Sequence, residues 1–482
     1  MPERPNIVLI CTDQWRGDCL SIDGHPVVHT PYLDELALGG VRFRRAYSAS
    51  PSCIAARTAL MTGLAPRSHG RVGYEDGVEW SYPVTLAGEL TRGGYQTQAV
   101  GKMHVWPERS QIGFQNVILH DGYLHHARRR LDLPQIDDYI PWLRSELGRS
   151  DADYCEHGLN CNSQVARPWD KPEYTHPTNW VTSQAIDFLR RRDPRKPFFL
   201  YVSYHRPHPP YDPPAWALEQ YLHCDMPPAP VGDWTELFAE HSQPYHPSLA
   251  VGPIARPNAL HRARAGYYGS ITHIDTQIER LMEMLSDYRL HENTIVCFLG
   301  DHGELLGDHH LFRKSLPYEG SARVPLILSA PQSMKLPRGE TRDCVVELRD
   351  VMPTLLELAG LDVPDCVEGR SLLGAVRGEQ ESVREYVHGE HTWAGMESVQ
   401  WLTDGREKYV WFSESGTEQL FDLREDPQEL CDLAPEKDSE PRRARWRAAL
   451  TKELAGREEG FSDGERLITG RPVKPSLSFL KQ

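Results

Sequence analysis

Asp13 and Gln14 close the apolar run N-I-V-L-I-C-T, and Asp301-His302-Gly303 closes a second one, T-I-V-C-F-L-G. Two carboxylates, an amide oxygen and an imidazole make an oxygen-rich donor set. Such an oxygen-rich set suits one divalent ion, Ca²⁺ or Mg²⁺, and the added imidazole brings in Mn²⁺. Lys102 and His104 follow a third run, Gln96–Gly101, and the segment His205-Arg206-Pro207-His208 follows a fourth, Pro197–Tyr204. In open α/β sheets ligands bind outside the carboxyl ends of the strands. Four strand ends carrying two Asp, one Lys and several His are therefore expected to converge on one site. Each has a plainer use on its own, since Asp and Gly build turns and most lysines are solvated.

The segment S-P-S-C-I-A-A-R-T-A-L-M-T-G places Cys53 just before an apolar helical stretch, with Arg57 four residues on. Free N–H groups and the helix dipole at such a terminus favour an anion and lower a thiol's pKa. Arg57 lies one turn along and reaches back to the same point. A single cysteine in this setting otherwise reads as a half-buried structural thiol.

The elements that must hold these residues alternate short apolar runs with helical patterns, which predicts a mostly parallel α/β sheet. Strands are expected at Asn6–Thr12, Gln96–Gly101, Pro197–Tyr204, Asn293–Gly300 and Val324–Ser329. Thr30 is expected to cap a helix that starts at Pro31 and stops at Gly39-Gly40. The 3-4-3-4 spacing of Ile271, Ile274, Ile278, Leu281 and Leu285 predicts a long helix with one apolar face. The irregular stretches Asp121–Lys171 and Pro207–Pro257 read as pocket walls or lids. Tyr123, His125, His126 and Trp169 are candidates there for contact with a leaving group. After about residue 370, strand-like runs at Arg384–His388, Ser398–Thr403 and Lys408–Phe412 precede a charged helix near Pro441–Leu454. The expected division is a catalytic domain over 1–370 and a smaller α+β domain over 371–482.

A net charge of −15 over 482 residues gives no basic face for nucleic acid. An anionic substrate must then be met by a few placed cations. Ten scattered cysteines without C-x-x-C or zinc spacing, several in apolar runs, suit buried free thiols in a reducing compartment. The first apolar run, about five residues, is too short for a secretory signal, and no stretch reaches membrane-spanning length. The expectation is a cytoplasmic protein with no nucleic-acid or membrane partner.

C-I-A-A-R-T-A-L-M-T-G resembles the C-x-P-x-R signature of sulfatases, in which the cysteine becomes formylglycine. Ala55 stands where that signature usually has proline. In the same order as the family come P-N-I-V-L-I-C-T-D-Q-W-R-G-D, G-K-M-H, R-P-H-P-P, G-D-H-G-E-L-L-G-D-H, F-R-K-S-L-P-Y-E and R-V-P-L-I-L. They are followed by D-V-M-P-T-L-L-E-L-A-G-L and Q-L-F-D-L-R-E-D-P-Q-E-L-C-D-L-A. The resemblance implies an alkaline-phosphatase-like fold: a large α/β domain with a mostly parallel sheet flanked by helices, and a small C-terminal sheet domain.

It further implies that Asp13, Gln14, Asp301 and His302 hold the metal together with the modified Cys53. Arg57, Lys102, His104, His208 and Lys314 would surround the sulfate of a small-molecule or carbohydrate sulfate ester, and a formylglycine-generating enzyme would mature the chain. The metal-bound aldehyde hydrate would attack sulfur, His208 or Lys314 would protonate the leaving oxygen, and His104 would trigger sulfate release. Gln14 and His302 differ from the Asp and Asn of many animal-type sulfatases and are similar to bacterial choline sulfatases and phosphonate monoester hydrolases. Phosphonate or phosphodiester hydrolysis is therefore the alternative activity, and an unconverted Cys53 would leave a metal-bound protein without catalysis.

Overall fold

The computed structural model describes residues 4–122, 137–241, 249–251, 257–392 and 397–481. Its largest element is a nine-stranded mixed sheet. The strands in chain order are β1 (Asn6–Asp13), β2 (Gly40–Tyr47), β3 (Gln96–Gly101), β4 (Asn116–Leu119) and β5 (Phe198–Pro207). β6 (Leu249–Val251) and β8 (Leu311–Arg313) form a separate two-stranded ribbon, and β7 (Thr294–Gly300), between them in the chain, belongs to the large sheet. β9 (Arg323–Ser329), β10 (Glu340–Arg342) and β11 (Val346–Glu347) complete the set. Across the large sheet the order is β10-β2-β9-β7-β1-β5-β3-β4, with β11 on β2. β1 runs parallel to β5 and β7, and β3 parallel to β5 and β4, whereas β9 is antiparallel to β2 and β7.

Every residue of β1, β5 and β7 is buried. That is the consequence of helices on both faces, and it is why these strands read as unbroken apolar runs. Val8 and Ile10 face a core that contains Ile271, Ile274, Ile278, Leu281 and Leu285 of the helix Pro257–Asp287. Ile7, Leu9 and Cys11 face the opposite core, with Leu60 and Met61 of the helix Cys53–Thr62 and Leu355 and Leu356 of the helix Val351–Leu358. The period of two along β1 thus sends alternate side chains to two cores. Among the described residues no helix is long and apolar enough to cross a membrane.

A separate antiparallel sheet lies in the C-terminal region, ordered β12 (Val387–Thr392), β13 (Ser398–Thr403), β14 (Glu407–Phe412) and β15 (Glu418–Asp422). One face packs Leu402, Tyr409, Trp411 and Leu420 against Trp446 and Leu450 of the charged helix, which spans Glu440–Glu453, and against Leu454 just past its end. The other packs Val399, Trp401, Val410 and Phe421 against Tyr47, Leu316 and Tyr318.

Two local expectations fail for tertiary reasons. The Thr30 side chain makes no cap bond to the helix Pro31–Leu38. Its hydroxyl accepts from the Ser21 N–H at 2.9 Å, and the Tyr32 and Leu33 N–H groups donate to Asp275 on the long helix, at 3.2 and 2.8 Å. The strand expected at Arg384–His388 begins at Val387 and runs through Gly389 to Thr392. Gly389 does not end it, because the Trp401 ring on β13 covers the site where a Cβ would stand, only 2.0 Å from it. Covering a strand glycine with an aromatic ring restores the packing it lacks. Arg384 instead pairs with Glu347 and Asp350.

Lys408, fully buried on β14, ties the small sheet to the large one. Its Nζ donates to the Pro317 carbonyl at 2.7 Å, Glu319 Oε1 at 2.8 Å and Glu429 Oε1 at 2.7 Å. Pro317 and Glu319 directly follow the turn that carries Lys314. Replacing Lys408 with Met takes the cation from Glu429 and leaves Glu319 with Arg323 alone. Breaking a buried pair in this way costs about 3–5 kcal/mol. Lys408→Met should lower the urea midpoint by a corresponding amount, and an unchanged midpoint would contradict the tie.

Candidate active site

The carboxyl ends of β1, β3, β5 and β7 lie side by side, and the polar residues that follow them meet there. Asp13 is the last residue of β1, Asp301 follows β7, Lys102 follows β3, and His208 follows β5. Register explains the meeting: Thr12 pairs with Gly300, and Gly101 with Ser203. Gln14 takes a left-handed backbone, φ 71°, which a non-glycine residue adopts only when held there. Three bonds hold it: its N–H donates to Asp301 Oδ1 at 3.0 Å, its carbonyl accepts from the Tyr267 hydroxyl at 2.7 Å, and its side-chain NH₂ donates to Glu304.

Cys53 is the first residue of its helix. All ten residues of that helix are buried, Arg57 included, so it is a core element rather than a surface amphipath. The Cys53 Sγ lies 3.2 Å from His302 Nε2, 3.5 Å from Asp13 Oδ1 and 3.5 Å from Lys314 Nζ. Lys314 Nζ also donates to Gln14 Oε1 at 2.8 Å. Lys102 Nζ donates to Asp13 Oδ2. Arg57 serves from beneath: its Nε donates to Asp301 Oδ2 at 2.8 Å, and its Nη1 to the Lys102 carbonyl, the Tyr201 hydroxyl and Ser203 Oγ at 2.7–3.0 Å.

These cations set the charge states. Burial pushes the Asp13 carboxyl up, yet the neighbouring cations, Lys102 first and Lys314 with it, hold it well below the usual carboxylate range. Burial and the Asp13 charge push the Cys53 thiol up; Lys102, Lys314 and His302 outweigh them and leave it below its ordinary value. Burial, followed by Lys314, holds the His208 imidazole well below its ordinary range, so it is neutral. Its Nδ1 donates to the Pro209 carbonyl at 2.8 Å, and its backbone N–H to the Asp13 carbonyl at 3.0 Å.

The donor set fits a divalent cation. One ligand atom each from Asp13, Cys53, Asp301 and His302 lies within 4.8 Å of the others, and all four residues are buried. His302 Nδ1 faces the Gly303 carbonyl at 2.9 Å. A carbonyl only accepts, so Nδ1 carries a hydrogen, and Nε2, beside Cys53 and Asp13, is the ring nitrogen left to ligate a cation.

The residues singled out from sequence thus gather as Asp13, Gln14, Cys53, Lys102, Asp301, His302 and Lys314 in direct contact, with Arg57 and His208 bonded to members of that group. His104 stands further along the β3 loop, its N–H donating to Asp121 Oδ1 at 2.9 Å and its ring 6.1 Å from that of Tyr74. Trp169 is buried, packed on His157 and His176. Tyr123, His125 and His126 lie outside the described residues. Two participants escape sequence reasoning. Asp121 receives the Met103 and His104 N–H groups, and Glu304 receives the Gln14 amide. Only the position of Glu304 inside G-D-H-G-E hinted at a role.

Residues 5–361 match the family model described as Sulfatase, and residues 307–457 match one described as N-sulphoglucosamine sulphohydrolase, C-terminal. The chain is 48% identical to an arylsulfatase of Clostridium perfringens over 98% of both chains. It is 30% identical to a choline-sulfatase of Rhizobium meliloti, covering 89% of this chain and 82% of that one. Among solved structures, a phosphonate monoester hydrolase of Agrobacterium radiobacter superposes with a TM-score of 0.78 at 27% identity, over 93% of this chain and 95% of the other. With this fold, this strand-end cluster and these relatives, the chain belongs to the sulfatase family of the alkaline phosphatase superfamily and is a sulfate-ester hydrolase.

Proposed function

We propose that this enzyme hydrolyses aryl sulfate monoesters at the cluster around residue 53, with that residue acting as formylglycine. The observation that carries the reading is the convergence of Cys53 with His302, Asp13 and Lys314 within 3.5 Å of its sulfur. The nearly full-length identity to an arylsulfatase supports the aryl leaving group.

Asp13, Gln14, Asp301 and His302 would hold a divalent ion, Ca²⁺ or Mn²⁺, which when bound supplies Lewis-acid charge to the sulfate oxygens and to the nucleophile. As a hydrated aldehyde, residue 53 offers one hydroxyl to attack sulfur and a second whose deprotonation expels sulfate. The remaining chemistry belongs to the side chains. Lys102 and Lys314 bring positive charge to where negative charge develops, in a buried site where it counts for more than in water. Arg57 fixes Asp301 and the Lys102 backbone, so the donors are positioned before substrate arrives. His208 is neutral in the free enzyme, and an anionic substrate beside it favours the protonated ring. It then gives its Nε2 proton to the leaving oxygen, since its Nδ1 proton is committed to Pro209. His104 takes the proton from the second hydroxyl. A plain thiol at position 53 lacks that second hydroxyl, so the unconverted chain would bind metal without turning over.

Phosphonate and phosphodiester hydrolysis is the second reading, favoured by the TM-score of 0.78 to a phosphonate monoester hydrolase. Assays of one preparation on nitrophenyl sulfate and on nitrophenyl phenylphosphonate decide between them. We expect the larger kcat/KM for the sulfate, and a larger value for the phosphonate would overturn this assignment. The proton-transfer role is read from leaving-group dependence. General-acid help is worth about 10²–10⁴-fold and is needed least by an activated phenol. His208→Ala should therefore depress kcat on phenyl or alkyl sulfates far more than on nitrophenyl sulfate. Equal losses on both would assign His208 to binding alone.

A further inference from the structure

A glutamine amide can turn either its oxygen or its NH₂ toward a site, and only the oxygen coordinates a cation. Lys314 Nζ holds the Gln14 oxygen from inside the cluster, and a residue outside it holds the NH₂. Glu304 is 1% exposed, and Oε2 of its side chain accepts from Gln14 Nε2. Its other oxygen, Oε1, accepts from the Leu306 N–H at 2.9 Å and from the Arg313 N–H. Both carboxylate oxygens are thus occupied by N–H donors. Gln14 has to present its NH₂ to Glu304, and its Oε1 is left to accept from Lys314 Nζ at 2.8 Å, the ammonium that also reaches Cys53 Sγ at 3.5 Å.

The approach of Glu304 is itself built in. A Cβ on Gly303 would stand 2.0 Å from the Gly320 carbonyl oxygen, so only glycine lets the chain pass there. The next residue, Glu304, is thereby brought under Gln14, and its own carbonyl accepts from Arg16 Nη1 at 2.9 Å.

We propose that Glu304 is a positioning residue of the metal centre: it fixes the amide of Gln14 so that Oε1 points inward as a ligand. The assignment rests on the reading of the cluster as a metal site, and the experiment separates the two. In Glu304→Gln the Leu306 and Arg313 N–H groups keep the new amide oxygen on their side. The new NH₂ then meets the Gln14 NH₂, donor against donor, and the amide loses its outer anchor, with Lys314 alone left to hold Oε1. A paired variant, Gln14→Glu with Glu304→Gln, reverses the polarity of the bond and again places an oxygen inward, with the total charge unchanged.

Binding of Mn²⁺ and Ca²⁺ to the chelator-stripped full chain is measured by calorimetry, with the melting temperature of each metal-free variant as a check on folding. Loss of an outer partner of a metal ligand typically weakens affinity about 10–100-fold. Glu304→Gln should show a loss of that order, and the paired variant should recover most of it. Unchanged affinity in Glu304→Gln, or a paired variant as weak as the single one, would overturn the role of Glu304 and leave the metal site standing. Absence of binding by the wild-type chain would overturn the metal site and this role with it.

Discussion

Asp13 is a carboxylate without solvent contact, and the rest of the site follows from keeping it charged. Isolating such a group from water costs several kcal/mol unless it is paired and hydrogen-bonded. Lys102 supplies the pairing, and it does so from β3, two strands away across β5. Asp301 raises the same demand on the neighbouring strand, and Arg57 meets it from the helix that begins with Cys53. Each ion pair therefore ties one strand end to another element, and satisfying both brings residue 53 beside His302. In a chain with net charge −15, these few cations create the local field that the surface does not provide.

The small C-terminal sheet contributes through the same economy of buried charge. Lys408 is held by Glu319 and Glu429, and it bonds the Pro317 carbonyl three residues beyond Lys314. The Ser315 N–H donates to the Pro51 carbonyl at 3.0 Å, just ahead of Cys53. The turn bearing Lys314 is thereby fastened at one end to the small sheet and at the other to the approach to Cys53. The small sheet and the strand-end cluster are coupled at this turn.

Much of this was legible in the residues because the main signals are local. Fully buried strands announce themselves as apolar runs, and the polar residues that end them mark one edge of the sheet. The long helix was readable from its five isoleucines and leucines, all fully buried. What was not legible depends on partners far apart in sequence. Asp275 replaces Thr30 as the cap, Trp401 carries a strand through Gly389, and Glu304 orients Gln14 across 290 positions. No periodicity or propensity contains such pairings. Cys53 is an intermediate case: its helix was expected from its neighbours, but its chemistry came from the ordered set of motifs around it. Arg57 was legible as a cation near residue 53, but its bonds to Asp301, the Lys102 carbonyl, Tyr201 and Ser203 were not.

Turnover depends on the chemical state of residue 53. A thiolate favoured by Lys102 and Lys314 would be a reactive group in its own right, yet it cannot release sulfate by losing a second hydroxyl proton. Peptide mass spectrometry across Cys53 on preparations of graded specific activity measures this directly. The predicted result is a peptide that has lost sulfur and gained oxygen, with activity on nitrophenyl sulfate rising in proportion to the converted fraction. Full activity from a preparation whose position 53 is wholly unmodified cysteine would contradict it.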